Sequence, residues 1–142
     1  MKVLLDTNVL SELLRLNPES AVLTWFASQS VETLFVSAVT QAEMMLGARL
    51  LPNGKRRAAL ESAVGAMFNE DFSGRVLPFD SAAAFAYVDI VVTRRARGQP
   101  ISQFDAQIAA IAKHHAARLA TRNVGDFEGC GLALVNPWSK SG

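Results

Sequence analysis

Four carboxylates in this 142-residue chain fall where an α/β protein does its chemistry: Asp6, Glu43, Asp105 and Asp126. Asp6 stops the apolar run Val3-Leu4-Leu5, and Glu43 follows a β-branched and aromatic segment, Thr33 to Ser37. Asp105 lies just after the break at Gly98-Gln99-Pro100, and Asp126 follows the apolar run ending at Thr121, with Asn123 between them. Acidic side chains brought within about 5 Å repel one another, and some stay protonated at neutral pH. A divalent cation removes that penalty. Oxygen-only ligands suit Mg²⁺ or Mn²⁺ rather than Zn²⁺, and the chain has no matching His or Cys set. Mg²⁺ completes its shell with water and phosphate oxygens. The chemistry that follows is metal-assisted hydrolysis, in which the metal lowers the pKa of a bound water and offsets charge on the phosphorane oxygens.

The elements that must position these residues can be read from periodicity. Lys2–Leu5 and Thr33–Ser37 suit buried strands, Arg75–Phe79 a short extended segment, and Arg118–Thr121 and Leu132–Val135 the last two strands. Between them, helical spacing predicts helices over Thr7–Leu16, Glu19–Gln29, Ala38–Leu51, Lys55–Phe68, Ser81–Arg97 and Ser102–His115. Strands alternating with helices argue for a single α/β/α domain over residues 1–142, with a mainly parallel sheet of four to five strands covered on both faces. In such sheets ligands bind beyond the carboxyl ends of the strands. All four carboxylates are candidates for that edge.

Each carboxylate also has a plainer explanation. Asp6 can cap the helix that follows it. Ser102-Gln103-Phe104-Asp105 resembles a capping box with Asp in place of Glu, and Asp126 suits a turn. Glu43 shares a helical stripe with Val39, Leu46 and Leu50, where a carboxylate needs a cation or strong donors.

Composition bounds the rest. Half of the residues are hydrophobic and only 19% are charged, against about 25% in an average soluble domain. That balance predicts apolar surface for a partner to cover; Trp25, Phe26, Met44, Met45, Leu50 and Leu51 are candidates, with core packing the competing role. The formal net charge is +1, so no global field attracts nucleic acid and any contact needs a local patch. The single cysteine, Cys130, excludes an internal disulfide and fits a reducing compartment. No apolar run reaches the ~18 residues of a membrane span, and a cytoplasmic protein is expected.

The residues resemble a known family. Leu4-Leu5-Asp6-Thr7-Asn8-Val9 is similar to the opening motif of PIN domains. Ser37-Ala38-Val39-Thr40-Gln41-Ala42-Glu43 with Leu46-Gly47 resembles their second acidic motif, and Asp105-Ala106-Gln107-Ile108-Ala109-Ala110 the third. Ala120 to Asn123, Asp126-Phe127 and Asn136-Pro137-Trp138 resemble the C-terminal segment, so the likeness spans essentially the whole chain. It is nearest to VapC toxins of the FitB-like branch.

The resemblance implies a PIN fold and a Mg²⁺- or Mn²⁺-dependent endoribonuclease. It also implies a VapB-like antitoxin, homodimers and toxin–antitoxin hetero-oligomers, with operator DNA reached only through the antitoxin. Carried over, Asp6, Glu43 and Asp105 form the acidic, metal-holding site, supported by Thr7, Asn8 and Thr121. Some relatives have a fourth acidic residue where this chain has Asn123; either Asn123 or Asp126 fills that position here. Arg122, Arg49 and Lys55 are candidates to guide an RNA backbone, as are Arg56-Arg57 and Arg94-Arg95 with Arg97, although charge runs usually face water.

Two rival readings stay open at this point. A haloacid-dehalogenase-type phosphotransferase also opens on a strand ending in Asp, but its second Asp falls where this chain has Asn8. A PIN-like binding or scaffold subunit without catalysis is the other.

Overall fold

Val3, Leu4 and Leu5 are buried on both sides, because their side chains alternate between two separate cores. That burial is what a central strand of a parallel sheet requires. The computed structural model describes residues 1–139. Its strands are Val3–Leu5 (β1), Leu34–Ser37 (β2), Val76–Leu77 (β3), Arg118–Ala120 (β4) and Leu134–Val135 (β5). They form one sheet in the order β3-β2-β1-β4-β5, and every neighbouring pair is parallel. The expected α/β class with helices on both faces is therefore observed, with five strands and no antiparallel pair among the described residues.

The helices are Thr7–Leu13 (α1), Ser20–Ala27 (α2), Ala38–Arg49 (α3), Lys55–Ala66 (α4), Ser81–Ala96 (α5) and Gln103–His114 (α6). Their ends lie within a few residues of the sequence expectation. The predicted helix to Phe68 instead widens into a π-turn over Met67–Asp71, which seats Met67, Phe68 and Phe72 in the first core. That core joins Val3, Leu5, Leu34 and Val36 to Val9 and Leu10 of α1, Met44 of α3 and Val64 of α4. The second core joins Leu4 and Leu119 to Ala83 and Ile90 of α5 and to the apolar side of α6. Among the described residues no helix is long and apolar enough to cross a membrane.

Several surface expectations need correction. Leu46 and Leu50 are 58% and 73% exposed, so the stripe through Val39 and Glu43 is not a core stripe; only Val39 is buried. Of the apolar candidates for partner surface, Met44 is buried, while Trp25 and Phe26 pack partly buried against the first core. Met45 and Leu50 remain open. Arg94 does not belong to a solvated basic face. It is buried, and its guanidinium donates to the carbonyls of Gln99 (2.6 Å), Asp126 (2.8 Å) and Glu128 (2.8 Å). It thereby ties α5 to the loop after β4. At Gly129 in that loop φ is +78°, a left-handed conformation that favours glycine over any residue with a Cβ.

Ile108 is almost wholly buried and seats α6, the carrier of Asp105, on the sheet. Ile108→Ala should lower the free energy of unfolding by about 2–5 kcal/mol, read from the urea midpoint with the slope unchanged.

Candidate active site

The chain runs β1 to β2 to β3 in one direction across the sheet, then returns to add β4 and β5 on the other side of β1. The order therefore reverses between β1 and β4, where an open parallel sheet has its ligand crevice. Asp6 is the first residue past β1, and its N–H donates to Ala120 O at 2.9 Å. Thr121 is the first residue past β4. The two side chains meet across the junction: the Thr121 hydroxyl donates to Asp6 Oδ2 at 2.8 Å.

Asp6 is both cap and site residue. Its Oδ1 accepts the N–H of Thr7 at the start of α1 (2.8 Å). It is 5% exposed, and burial pushes its carboxyl up to about 6, against the opposing pull of the Thr121 and Thr7 hydrogen bonds. The negative charges of Asp105 and Glu43 raise it further. Residues 37 and 99 positions apart in sequence thus act on one carboxylate.

Glu43 stands on the second turn of α3, a helix capped by Ser37, whose hydroxyl oxygen accepts the Thr40 N–H at 3.0 Å. Thr7 orients it by donating its hydroxyl to Glu43 Oε1 at 2.9 Å, and Thr40 lies 3.0 Å from the same hydroxyl. Asp105 sits in the first turn of α6. Ser102 caps that helix by accepting the Asp105 N–H (3.2 Å). The Asp105 carboxyl is raised chiefly by burial, and further by the charge of Asp126.

Asp6, Glu43 and Asp105 line one cleft of about 490 Å³, together with Thr7, Asn8, Arg122 and Asn123. Asn8 Nδ2 reaches Thr121 Oγ1 at 3.4 Å, and the Asn123 N–H donates to the same oxygen at 3.1 Å. Asp126 does not line the cleft. It is exposed, with its carbonyl held by Arg94, and acts on Asp105 only through its charge. Arg49 is also absent: it pairs with Glu61 at 2.9 Å on the α3–α4 side. Lys55 is exposed at the start of α4 and does not line the cleft.

Four cleft residues escaped the sequence reading as site residues: Ser11, Glu12, Arg15 and Trp138. Glu12 is 5% exposed. Its carboxylate is held below the usual range by the Glu19 N–H (2.9 Å), with Arg15 adding to the effect. The one available signal was Glu12 with Arg15 three residues later, ahead of the Asn17-Pro18 break.

Among the described residues no three His, Cys, Asp or Glu side chains close into a ready-made metal cage. The carboxylates surround an open volume instead. Cys130 takes no part; it is buried, and that burial pushes its thiol up.

Comparison with known proteins agrees with this geometry. The PIN domain family matches residues 3–128. The chain is 41% identical to the VapC ribonuclease Y4jK of Sinorhizobium fredii over 136 residues, 96% of this chain and 97% of that protein. It is also 41% identical to toxin FitB of Neisseria gonorrhoeae, over 96% of this chain and 98% of that one. The crystal structure of FitAcB from the same organism superposes with a TM-score of 0.90 at 41% identity, covering 96% and 98% of the two chains. A sheet that reverses its order beside a buried carboxylate, matched over nearly its full length by such relatives, assigns this chain to the PIN-domain family, among its VapC- and FitB-type members.

Proposed function

We propose that this chain is a divalent-metal-dependent endoribonuclease and the toxin half of a toxin–antitoxin pair. One observation carries the reading: Asp6, Glu43 and Asp105, from three distant stretches of sequence, share a single cleft at the switch point of the sheet. The names of the similar proteins, a VapC ribonuclease and a toxin, support it.

The donor set fits a hard cation. All candidate ligands are oxygens, and Mg²⁺ binds through one or two carboxylates while keeping several waters and the substrate's phosphates. Asp6 and Asp105 would hold Mg²⁺ or Mn²⁺, with Glu43 as a third ligand or as the proton acceptor. When bound, such an ion supplies a water of lowered pKa and a counter-charge to the phosphate. Thr7 keeps Glu43 turned toward the cleft to accept the proton of the attacking water. Thr121 and the Thr7 N–H fix both oxygens of Asp6. Water adds to phosphorus, the bond to the 3′ oxygen breaks, and that oxygen takes up a proton. The products are a 5′-phosphate and a 3′-hydroxyl. Asn123 fills the fourth position better than Asp126, because it lines the cleft.

Two faces support partners. The groove of about 430 Å³ between α3 and α4, lined by Met45, Leu46, Val64 and Phe68, suits an apolar segment of a VapB-like antitoxin. Operator DNA would be reached through that antitoxin. On α5, Phe85, Val88 and Val92 form an exposed stripe at helical spacing, which suits a homodimer in the cytoplasm.

Glu43→Gln should slow RNA cleavage by about 10²- to 10⁴-fold, and excess EDTA should abolish it. The check is end-mapped cleavage by antitoxin-free protein; activity that survives EDTA overturns the reading.

Asp6 gives a second prediction. Its carboxyl is raised in the folded state, so folding is unaffected below about pH 3, where both states are protonated. As pH rises through about 6 the buried group must ionise, and stability falls by roughly 2–3 kcal/mol. In EDTA, Asp6→Asn should therefore be more stable than the wild type at pH 8 and equal to it at about pH 3. Mg²⁺ should close the gap at pH 8, as followed by thermal melts.

A further inference from the structure

Two arginines stand at the rim of the carboxylate cleft, and each is held by a side chain fixed in the protein. Arg15 is 59% exposed, yet its Nη1 lies 3.1 and 3.0 Å from the two oxygens of Glu12. Glu12 in turn is almost wholly buried and anchored by the Glu19 N–H. The other guanidinium nitrogens of Arg15 make no hydrogen bond to a described residue. Arg122 is exposed and lies over the Trp138 ring, 5.2 Å from its centroid. Its guanidinium also makes no hydrogen bond to a described residue. Trp138 packs against the first core, and its buried Nε1 has no hydrogen-bond partner among the described residues. The charge of Arg122 also acts on Glu12, which puts both arginines around one buried carboxylate.

A cleft of carboxylates repels a polyanion, and a net charge of +1 offers no compensating field. Guanidinium groups with free planar donors match phosphate oxygens two at a time. Immobilising them beforehand reduces the ordering that binding would otherwise require. We infer that Arg15 and Arg122 form a phosphate clamp for single-stranded RNA beside the acidic cleft, with Glu12 and Trp138 as positioning residues. The inference rests on the nuclease reading and adds the subsite that holds the backbone next to the cut.

Glu12 supplies a test by sign. If it acted only through its charge, Glu12→Gln would strengthen RNA binding, because a negative charge leaves the cleft. If it orients Arg15, the same change weakens binding. The measurement is fluorescence anisotropy of a labelled, unstructured 12-nucleotide RNA in EDTA, over a series of KCl concentrations, with folding checked by circular dichroism. Glu12→Gln and Trp138→Leu should each raise Kd several-fold. Arg122→Ala, an exposed site, should raise Kd and lower the slope of log Kd against log salt by about 0.7, the value for one phosphate contact on a single strand. Lys113→Ala, the same charge change at the far end of α6, should leave the slope unchanged. Tighter binding by Glu12→Gln, or an unchanged slope in Arg122→Ala, overturns the clamp while wild-type cleavage of RNA leaves the nuclease reading intact. A wild type that neither binds nor cuts RNA overturns both.

Discussion

A carboxylate buried at the end of the central strand is the constraint around which this molecule is arranged. Burial works against the charge on Asp6, and only the Thr121 hydroxyl and the Thr7 N–H oppose that effect directly. Both donors depend on topology. Thr121 is beside Asp6 because β4 pairs with β1, Leu5 opposite Ala120. Thr7 is there because a helix starts immediately after the strand. The return of the chain across the sheet leaves the volume above this junction unfilled. Asp105 can face it from α6, and Glu43 from α3.

The supports of the site are hydroxyl and amide groups rather than cations. Thr7, Thr40, Thr121 and Asn8 join in hydrogen bonds that run from Glu43 to Asn123. Neutral donors fix carboxylate geometry without cancelling the negative potential, which an arginine in the same place would do. The arginines are instead paired at the rim, as Arg15 is with Glu12, or spent on structure. Arg94 is the clearest case of the latter: a buried cation satisfied by three carbonyl oxygens, holding the loop that carries Asn123 and Asp126.

Much of this was legible in the sequence, for physical reasons. Strands buried on both faces read as apolar runs, and Asp6 and Ser102 announce helix starts because each accepts a helix N–H. The capping roles of Asp6 and Ser102 proved compatible with a site, since a helix start at the switch point serves both. Glu43 was picked out for an incomplete reason: Leu46 and Leu50 face solvent, and Thr7, not an apolar stripe, accounts for its orientation. Asp126 sits in the 3₁₀ turn three residues past Asn123 and is absent from the cleft lining, a placement that no local pattern in the sequence encodes. Glu12 was missed because its burial depends on α2 folding back so that Glu19 can donate to it. Arg49 found Glu61 on the neighbouring helix, a pairing that no local pattern encodes.

The borders of the sheet carry a consequence of their own. β3 and β5 are each only two residues long, so the flanks expose almost no unpaired backbone ladder. A protein with bare leucine, methionine and phenylalanine on its helices would otherwise invite edge-to-edge polymerisation. With that route blunted, the exposed apolar side chains of the helices are the surface left for a companion chain to recognise.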